Sequence, residues 1–311
     1  MASDEEMGKA RILVIGGTGR LGRHIVAASA RLGHPTVALV RDTAPSDPSK
    51  AALLKSFLDL GVALVKGDLY DHASLVRPMK AADAVISALG TRQVADQTLL
   101  IAAINEAGKV KRFLPSEFWT DVDHTAAVEP ARSAVYAAKA SVRRAVEAAG
   151  VPHTYVLCGY LAGAALPSVG QVISPAPPAG PPANTMSHNE MLDLWEKKTG
   201  RGFRRVHVAA DAVLKMIREA PLALGLALSI AHAAYILGET NFKVDPAMGV
   251  AAGELYPDVE YTTVSEYLDR LLPTGSSRRS LNPRKFVLTS LAALCGIFLC
   301  IYVWMLSGRS R

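Results

Sequence analysis

Short apolar runs alternate with longer segments of helical spacing through the first half of the chain. Five of these runs are rich in Val, Ile and Leu and too short for helices, so they predict buried strands. They are 11–15, 36–40, 63–66, 84–87 and 112–114. The predicted helices between them include 49–60, 72–80 and 96–107. This alternation predicts an α/β fold with a doubly wound parallel sheet.

The first predicted strand runs directly into a glycine-rich turn and then a helix. Residues 11–32 are RILVIGGTGRLGRHIVAASARL, a G-x-x-G-x-x-G spacing after a strand. Glycines let the backbone approach a ligand closely, and a helix N-terminus attracts the negative charge of a pyrophosphate. This context predicts a dinucleotide site of the Rossmann type, although glycines that serve packing alone are the alternative. The predicted cofactor-binding residues are Gly16, Gly17, Thr18, Gly19, Arg20, Leu21 and Gly22.

The second predicted strand ends at a basic residue, Arg41. At this position an acid favours NAD, whereas a nearby cation accommodates the 2′-phosphate of NADP. Arg41 therefore favours NADP, although Asp42 directly after it could still face the ribose. Lys50 is a candidate for a second cation at the 2′-phosphate. An equally good interpretation is that it is an ordinary solvent-exposed lysine.

A long predicted helix, 131–149, carries Lys139 and Arg143 at i, i+4 spacing, which puts them on one face. One interpretation is a solvent-facing basic stripe shared with Arg132 and Arg144. The other is a general base at Lys139, which requires burial or a neighbouring cation to lower the pKa of the amine. The Tyr-x-x-x-Lys pair of ordinary short-chain dehydrogenases is absent, because valine stands four places before the lysine.

The net charge of +6 belongs to the end of the chain. There are 34 Lys and Arg against 28 Asp and Glu, and the six basic residues of 278–311, a stretch without acids, account for the excess. A nucleic-acid site needs basic residues clustered on the fold, so no nucleic-acid partner is expected. The three cysteines show no metal-ligand spacing and no disulfide framework, which predicts no metal site and a reducing compartment. The acidic N-terminus lacks the apolar stretch of a signal peptide.

Residues 286–306, FVLTSLAALCGIFLCIYVWML, are 21 residues without a charge. A bilayer core requires about 20 apolar residues as a helix, so this segment predicts a C-terminal transmembrane helix. Basic residues are more numerous before it than after it, which predicts a tail-anchored protein on the cytoplasmic face of a membrane. A hydrophobic helix packed on the fold and a mispredicted terminal exon are the alternatives.

The chain resembles the plant isoflavone reductase-like group of atypical short-chain dehydrogenases, which includes phenylcoumaran benzylic ether reductases, within a broader NmrA-like set. Matching stretches cover most of residues 10–272, among them VIGGTGRLGRHIV, GDLYDHASLV, VKRFLPSEF and PPANTMSHNEMLDLWEKKTG. The resemblance implies an NADPH-dependent reductase that transfers hydride to a phenylpropanoid-derived or isoflavonoid-like phenolic substrate. The expected reaction is the reduction of a benzylic ether or an enone.

The resemblance also implies roles for single residues. It implies cofactor binding by Gly16–Gly22, Arg41, Lys50 and Arg143. It makes Lys139 the general base that takes a proton from a phenolic hydroxyl. His232 falls in a region that lines the family's substrate pocket and is a weaker candidate, since a lone histidine in an apolar run is more often a core residue.

The substrate side is shorter than in the family. After Leu166 a proline-rich stretch stands where the family has several tens of residues, and proline cannot donate to a strand ladder. The shortened lobe favours a non-catalytic NADP-binding sensor, whereas Lys139 favours an enzyme. A homodimer is compatible with the sequence. The predicted parts are a Rossmann domain at 8–157, a shortened connection at 158–183, a truncated substrate lobe at 184–273, a basic linker at 274–285 and the helix at 286–306.

Overall fold

The computed structural model describes residues 8–159, 187–200, 202–241, 246–247 and 249–272. The chain divides into two compact units, Met1–Phe118 with Ala134–Leu157, and Trp119–Ser133 with Cys158–Arg311. The predicted connection lies almost wholly outside the described residues, as do the basic linker and the apolar segment 286–306. In the part of the chain that is described, no helix has the length and apolar character needed to cross a bilayer.

A five-stranded parallel sheet forms the centre of the first unit, in the order β3-β2-β1-β4-β5. Its strands are β1 (Ile12–Ile15), β2 (Thr36–Val40), β3 (Ala63–Lys66), β4 (Ala84–Ser87) and β5 (Arg112–Leu114). Ile12 pairs with Thr36 on one side and with Ala84 on the other. The strand order reverses between β1 and β4, and open α/β sheets bind ligands at the carboxyl ends of the strands at such a point. The predicted doubly wound parallel sheet is confirmed.

Helices cover both faces of this sheet because successive side chains of a strand point to opposite faces. They are α1 (Gly22–Arg31), α2 (Pro48–Asp59), α3 (His72–Met79), α4 (Gln97–Ala107) and α5 (Ala138–Ala148). Val14 of β1 packs with residues of α1 and α2, such as Val26 and Phe57. Leu13 packs on the other face with α3, α4 and α5, for example with Val142. The predicted helix 131–149 differs at its start, since 132–137 are π-helical.

Local sequence determines several of the helix ends. The Asp47 carboxylate accepts a hydrogen bond from the Lys50 backbone N–H at 2.8 Å, and Pro48 occupies the first turn of α2. Asp71 caps α3 in the same way through the N–H of Ser74. Gly108 ends α4 with a φ of 64°, a left-handed conformation that favours glycine.

The regular secondary structure in the described part of the second unit is helical. Its α-helices are α6 (His188–Thr199), α7 (Ala210–Glu219), α8 (Leu222–Ala231), α9 (Ala252–Leu255) and α10 (Val264–Leu271), with a π-helical segment at His232–Ile236. Ser187 and Glu190 form a capping box at the start of α6. Trp195 of α6 packs on Leu268 of α10. A second cluster includes Val213 and Leu228, from α7 and α8.

Candidate functional site

The glycine-rich turn connects β1 to α1 with little room for side chains. Gly16 has a φ of 79°, and its carbonyl accepts the Gly19 N–H at 2.9 Å. A Cβ on Gly16 would lie 2.6 Å from the carbonyl oxygen of Ala88, and a Cβ on Gly22 would collide with the carbonyl oxygen of Gly16. Residues 18–20 are exposed at the tip of the turn.

These contacts show that two of the glycines are needed for close packing of the turn, while its tip stays open to a ligand. Packing and phosphate binding are therefore compatible here, although the sequence presented them as alternatives. The closeness of the turn to the first residues of α1 brings backbone N–H groups and the positive end of the helix dipole to one place. The residues present thus fit the pyrophosphate of a dinucleotide.

Arg41 lines a cavity of about 480 Å³ at the carboxyl ends of β2 and β3. Two more cations, Lys66 and Arg77, line the same cavity, together with the acids Asp68 and Asp71. Three cations against two carboxylates give this cavity an excess of positive charge. Arg41 therefore stands where a phosphate group would find opposite charge.

Lys50 and Asp42 are placed differently from Arg41. Lys50 is an exposed residue of α2 and is not among the residues that line the cavity. The Asp42 carboxylate accepts a hydrogen bond from the Ala44 N–H at 3.0 Å, so it has a local role in the turn after β2. The cofactor role of Lys50 stays a prediction.

Lys139 is buried, with 7% of its surface exposed. Its Nζ donates to the backbone carbonyl of Ser116 at 2.6 Å and to that of Glu117 at 2.7 Å. Both carbonyls follow β5, at the same edge of the sheet as the glycine turn. Arg143 is buried as well, so a solvent-facing basic stripe is wrong for these two cations, whereas Arg144 beside them is exposed.

A buried glutamine joins the loop after β4 to the segment that holds Lys139. Gln97 accepts the Ser116 N–H at 2.7 Å through Oε1 and donates through Nε2 to the carbonyl of Val94 at 3.1 Å. The Ser116 hydroxyl donates to the carbonyl of Leu89 at 2.7 Å. The Ala88 N–H of this loop donates to the carbonyl of Ile15 at 2.8 Å, directly before the glycine turn, so the turn and the amine of Lys139 are linked through a short series of contacts.

Arg143 forms a buried ion pair that the sequence did not indicate. Its Nη2 lies 2.7 Å from Oε2 of Glu117, and its guanidinium carbon lies 4.8 Å from the ring centroid of Tyr155. Burial and the Glu147 carboxylate raise the pKa of the Tyr155 hydroxyl. The cofactor role implied for Arg143 stays a prediction, beside these two observed partners.

Sequence reasoning missed Gln97 and Tyr155 as parts of this site. It placed Ser116 and Glu117 at the carboxyl end of a predicted strand, where α/β sheets place ligand sites, but it gave neither residue a role. That placement carries no information about which helix supplies the partner cations.

His232 lies in the second unit, where α8 continues into the π-helical segment. It is 4% exposed, and among the described residues its Nδ1 has no hydrogen-bond partner. Burial lowers the pKa of its imidazole, and the Glu239 carboxylate partly opposes that shift. π-Helical turns often occur at functional sites. The substrate role of His232 stays a prediction.

Potential metal ligands do not cluster in the part of the chain that the structure describes, where no group of three His, Cys, Asp or Glu side chains could hold an ion. Cys158 is exposed and forms no disulfide bond with another described residue. The other two cysteines, at positions 295 and 300, lie outside the described residues.

Comparison with known protein families and sequences gives a consistent result. A model of the NmrA-like family matches residues 8–179 and 176–268. Isoflavone reductase homolog IRL of Zea mays is 57% identical over 306 residues, which cover 85% of this chain and 99% of that protein. Phenylcoumaran benzylic ether reductase TP7 of Nicotiana tabacum is 44% identical over 302 residues, covering 84% and 98%.

Solved structures agree with these sequence matches. An isoflavone reductase has a TM-score of 0.77 and 37% identity, with 85% of this chain and 100% of that chain covered. The structure of AtPrR2 with NADP+ and (+)-pinoresinol has a TM-score of 0.76 and 31% identity, with 86% and 100% covered. A leucoanthocyanidin reductase–NADPH complex from Vitis vinifera has a TM-score of 0.74 and 29% identity, with 84% and 98% covered.

Proposed function

The chain belongs to the NmrA-like family, and from this premise we propose that it reduces a phenolic substrate of the phenylpropanoid or isoflavonoid type. It is an oxidoreductase and its cofactor is NADPH, as the sequence predicted. The observation that carries the proposed reaction is the amine of Lys139, which is buried and held by two carbonyls at the carboxyl edge of the sheet.

Residues of the first unit would hold the cofactor at two points. The turn of residues 16–22 fits the pyrophosphate, since its tip is exposed next to the N-terminus of α1. Arg41 would face the 2′-phosphate from the cavity with excess positive charge. When bound, NADPH supplies the hydride that a reduction of this class requires.

Lys139 would act as the general base in this reaction. The carbonyls of Ser116 and Glu117 accept hydrogen bonds from the amine and hold it at the carboxyl edge of the sheet. In its neutral form, the amine would take the proton of a phenolic hydroxyl. The electrons of the phenolate that remains would expel the benzylic oxygen as the C–O bond breaks, and the hydride would then form a C–H bond at that carbon. The departing oxygen would take the proton from the Lys139 ammonium, which returns the amine to its neutral form.

The test is NADPH oxidation with a phenylcoumaran benzylic ether or with pinoresinol, comparing the wild type with Lys139→Ala. General bases contribute about 10²–10⁴-fold, so turnover should fall by that factor while NADPH still binds. Lys55→Ala, at an exposed lysine of α2, is the matched control and should keep full activity. Wild-type turnover in Lys139→Ala would refute the base, and NADPH binding without oxidation of any such phenol would support a non-catalytic sensor.

Cofactor selectivity tests Arg41 separately. Because a guanidinium interacts with the 2′-phosphate that NADH lacks, Arg41→Ala should weaken binding of NADPH far more than binding of NADH. The measurement is the dissociation constant of each cofactor by fluorescence titration. Equal weakening of the two cofactors would contradict this role for Arg41.

A separate part of the proposal concerns the apolar segment 286–306, which would anchor the chain as a tail-anchored protein on the cytoplasmic face of a membrane. The support is its 21 residues without a charge and the basic residues on both sides. Carbonate extraction of membranes from cells that express the full chain is the test. Retention in the pellet is expected, and release of the full-length protein into the supernatant would overturn the anchor.

A further inference from the structure

We infer that Glu117, which forms an ion pair with Arg143, is a positioning residue for the amine of Lys139. This inference rests on the proposed function, in which Lys139 is the general base. Glu117 contacts α5 twice, since its backbone carbonyl accepts Lys139 Nζ at 2.7 Å and its carboxylate Oε2 lies 2.7 Å from Arg143 Nη2. The two cations are one helical turn apart, so α5 holds one residue by its main chain and by its side chain.

The backbone next to Glu117 indicates why a second contact is needed. Phe118 has a φ of 41°, which is unusual for a residue with a side chain. Its N–H donates to the carbonyl of Val156 at 2.8 Å, and the Glu117 N–H donates to the carbonyl of Pro115 at 2.7 Å. Strained backbone persists only where its surroundings hold it in place. The ion pair supplies such a constraint on the residue whose carbonyl holds Lys139.

Stability is a poor explanation for this ion pair. The side chains of Arg143 and Glu117 are 5% and 1% exposed. Removing two charges from water is costly, and well-packed apolar side chains of similar volume are often as stable or more so. A geometric role accounts for the buried pair better, because the pair determines where the Glu117 carbonyl points.

The ion pair also sets the charge around the amine. Two charged residues near Lys139 are Glu117, from the turn after β5, whose carbonyl accepts its Nζ, and Arg143, one turn further along α5. Tyr155 and Glu147 lie beyond them, with the Tyr155 ring against the guanidinium and its hydroxyl on Glu147. Loss of the Glu117 charge would leave a cation one turn from Lys139 without this counter-charge.

The experiment is Glu117→Gln in the full chain, which keeps the size of the side chain and removes its charge. Because misplaced catalytic groups cost up to about 10²-fold, kcat should fall by about 10–100-fold with the KM for NADPH little changed. The acidic limb of the pH profile of kcat/KM should move to lower pH by about one unit, since a less neutralised Arg143 disfavours the ammonium of Lys139.

Two further variants control this result. Glu117→Asp keeps the charge with a shorter side chain, so its acidic limb should stay at the wild-type pH while kcat recovers in part. Glu147→Gln removes the acid of the exposed pair on the same helix and should leave both kcat and the limb unchanged. Thermal unfolding and NADPH titration of each variant show that it is folded. If Glu117→Gln does not fold, Glu117→Met carries the test, because it also removes the charge at similar volume. Its acidic limb should move to lower pH by about one unit, and an unmoved limb would overturn the inference.

The outcomes separate this inference from the proposed function. Suppose that Lys139→Ala is inactive, while Glu117→Gln is folded and has the kcat and the acidic limb of the wild type. This result would overturn the inference about Glu117 and leave the proposed function standing. A lower kcat in Glu117→Gln at an unmoved limb would also overturn it, because a merely structural role predicts that result. Wild-type turnover in Lys139→Ala would refute the proposed function itself, whatever Glu117→Gln shows.

Discussion

Arg143 and Arg144 are neighbours on α5, and each forms an ion pair with a glutamate. Arg143 Nη2 lies 2.7 Å from Glu117, and Arg144 Nε lies 2.8 Å from Glu147. The side chains of the first pair are 5% and 1% exposed, whereas those of the second are 58% and 40% exposed. The two pairs therefore have nearly equal distances and opposite environments.

Distance alone therefore does not determine how much an ion pair contributes to stability. In water the attraction is screened, and exposed pairs contribute about 0–1 kcal/mol. In the interior, removal of one partner leaves the other charge buried without compensation, and the free energy of unfolding falls strongly. Successive side chains of an α-helix point about 100° apart, so one can face the core while the next faces the solvent.

The largest expected loss in the free energy of unfolding comes from Arg143→Met. It leaves the Glu117 carboxylate buried without its cation, so the free energy of unfolding should fall by about 3–5 kcal/mol. Arg144→Met, one residue further on, is the matched control and should change it by no more than about 0.5 kcal/mol. Urea denaturation of both variants measures the difference. Equal losses in the two variants would show that burial does not distinguish the pairs.

Substitution of Tyr155, which contacts both ion pairs, should lower the free energy of unfolding by a smaller amount. Its ring lies against the Arg143 guanidinium, and its hydroxyl donates to Glu147 at 3.2 Å. Tyr155→Leu removes both contacts, and loss of the cation–π contact alone should cost about 0.5–2 kcal/mol. Tyr155→Phe keeps the ring and should cost less, about 1 kcal/mol for one hydrogen bond. If thermal unfolding shows the reverse order, the ring does not support Arg143.

The smallest effect is expected from Glu147→Gln. Its carboxylate belongs to the exposed pair, so the free energy of unfolding should change by about 0.5 kcal/mol or less. Salt screens exposed charges, so the wild type and this variant should converge in denaturation curves at about 1 M ionic strength. A difference that persists in high salt would mean that Glu147 acts through a buried contact.

The parts of the fold that depend on neighbouring residues were predictable. β2, β3, β4 and β5 have the predicted bounds, and β1 begins one residue later than expected. A short apolar run that ends at a glycine or a capping acid contains its own start and stop signals. The π-helical start of the helix before Lys139 was not predictable, because a periodic apolar pattern does not distinguish the two helix types over six residues.

The candidate site was predictable only in part. Spacing placed Lys139 and Arg143 on one face of a helix, but it did not show whether that face is buried. The answer depends on carbonyls 22 and 23 residues away and on a carboxylate 26 residues away. Glu117 was missed as a partner for the same reason, although its place at the end of a predicted strand was visible.

Residues adjacent in the chain define the alternation of strands and helices, the glycine turn after β1 and the cation at the end of β2, so these features could be predicted from local patterns. The folded chain was needed to show that Lys139 and Arg143 face inward, that Ser116 and Glu117 hold the amine, and that Arg144 stays in solvent. Burial and hydrogen bonding of these side chains arise where β5 and α5 meet, between residues distant in sequence.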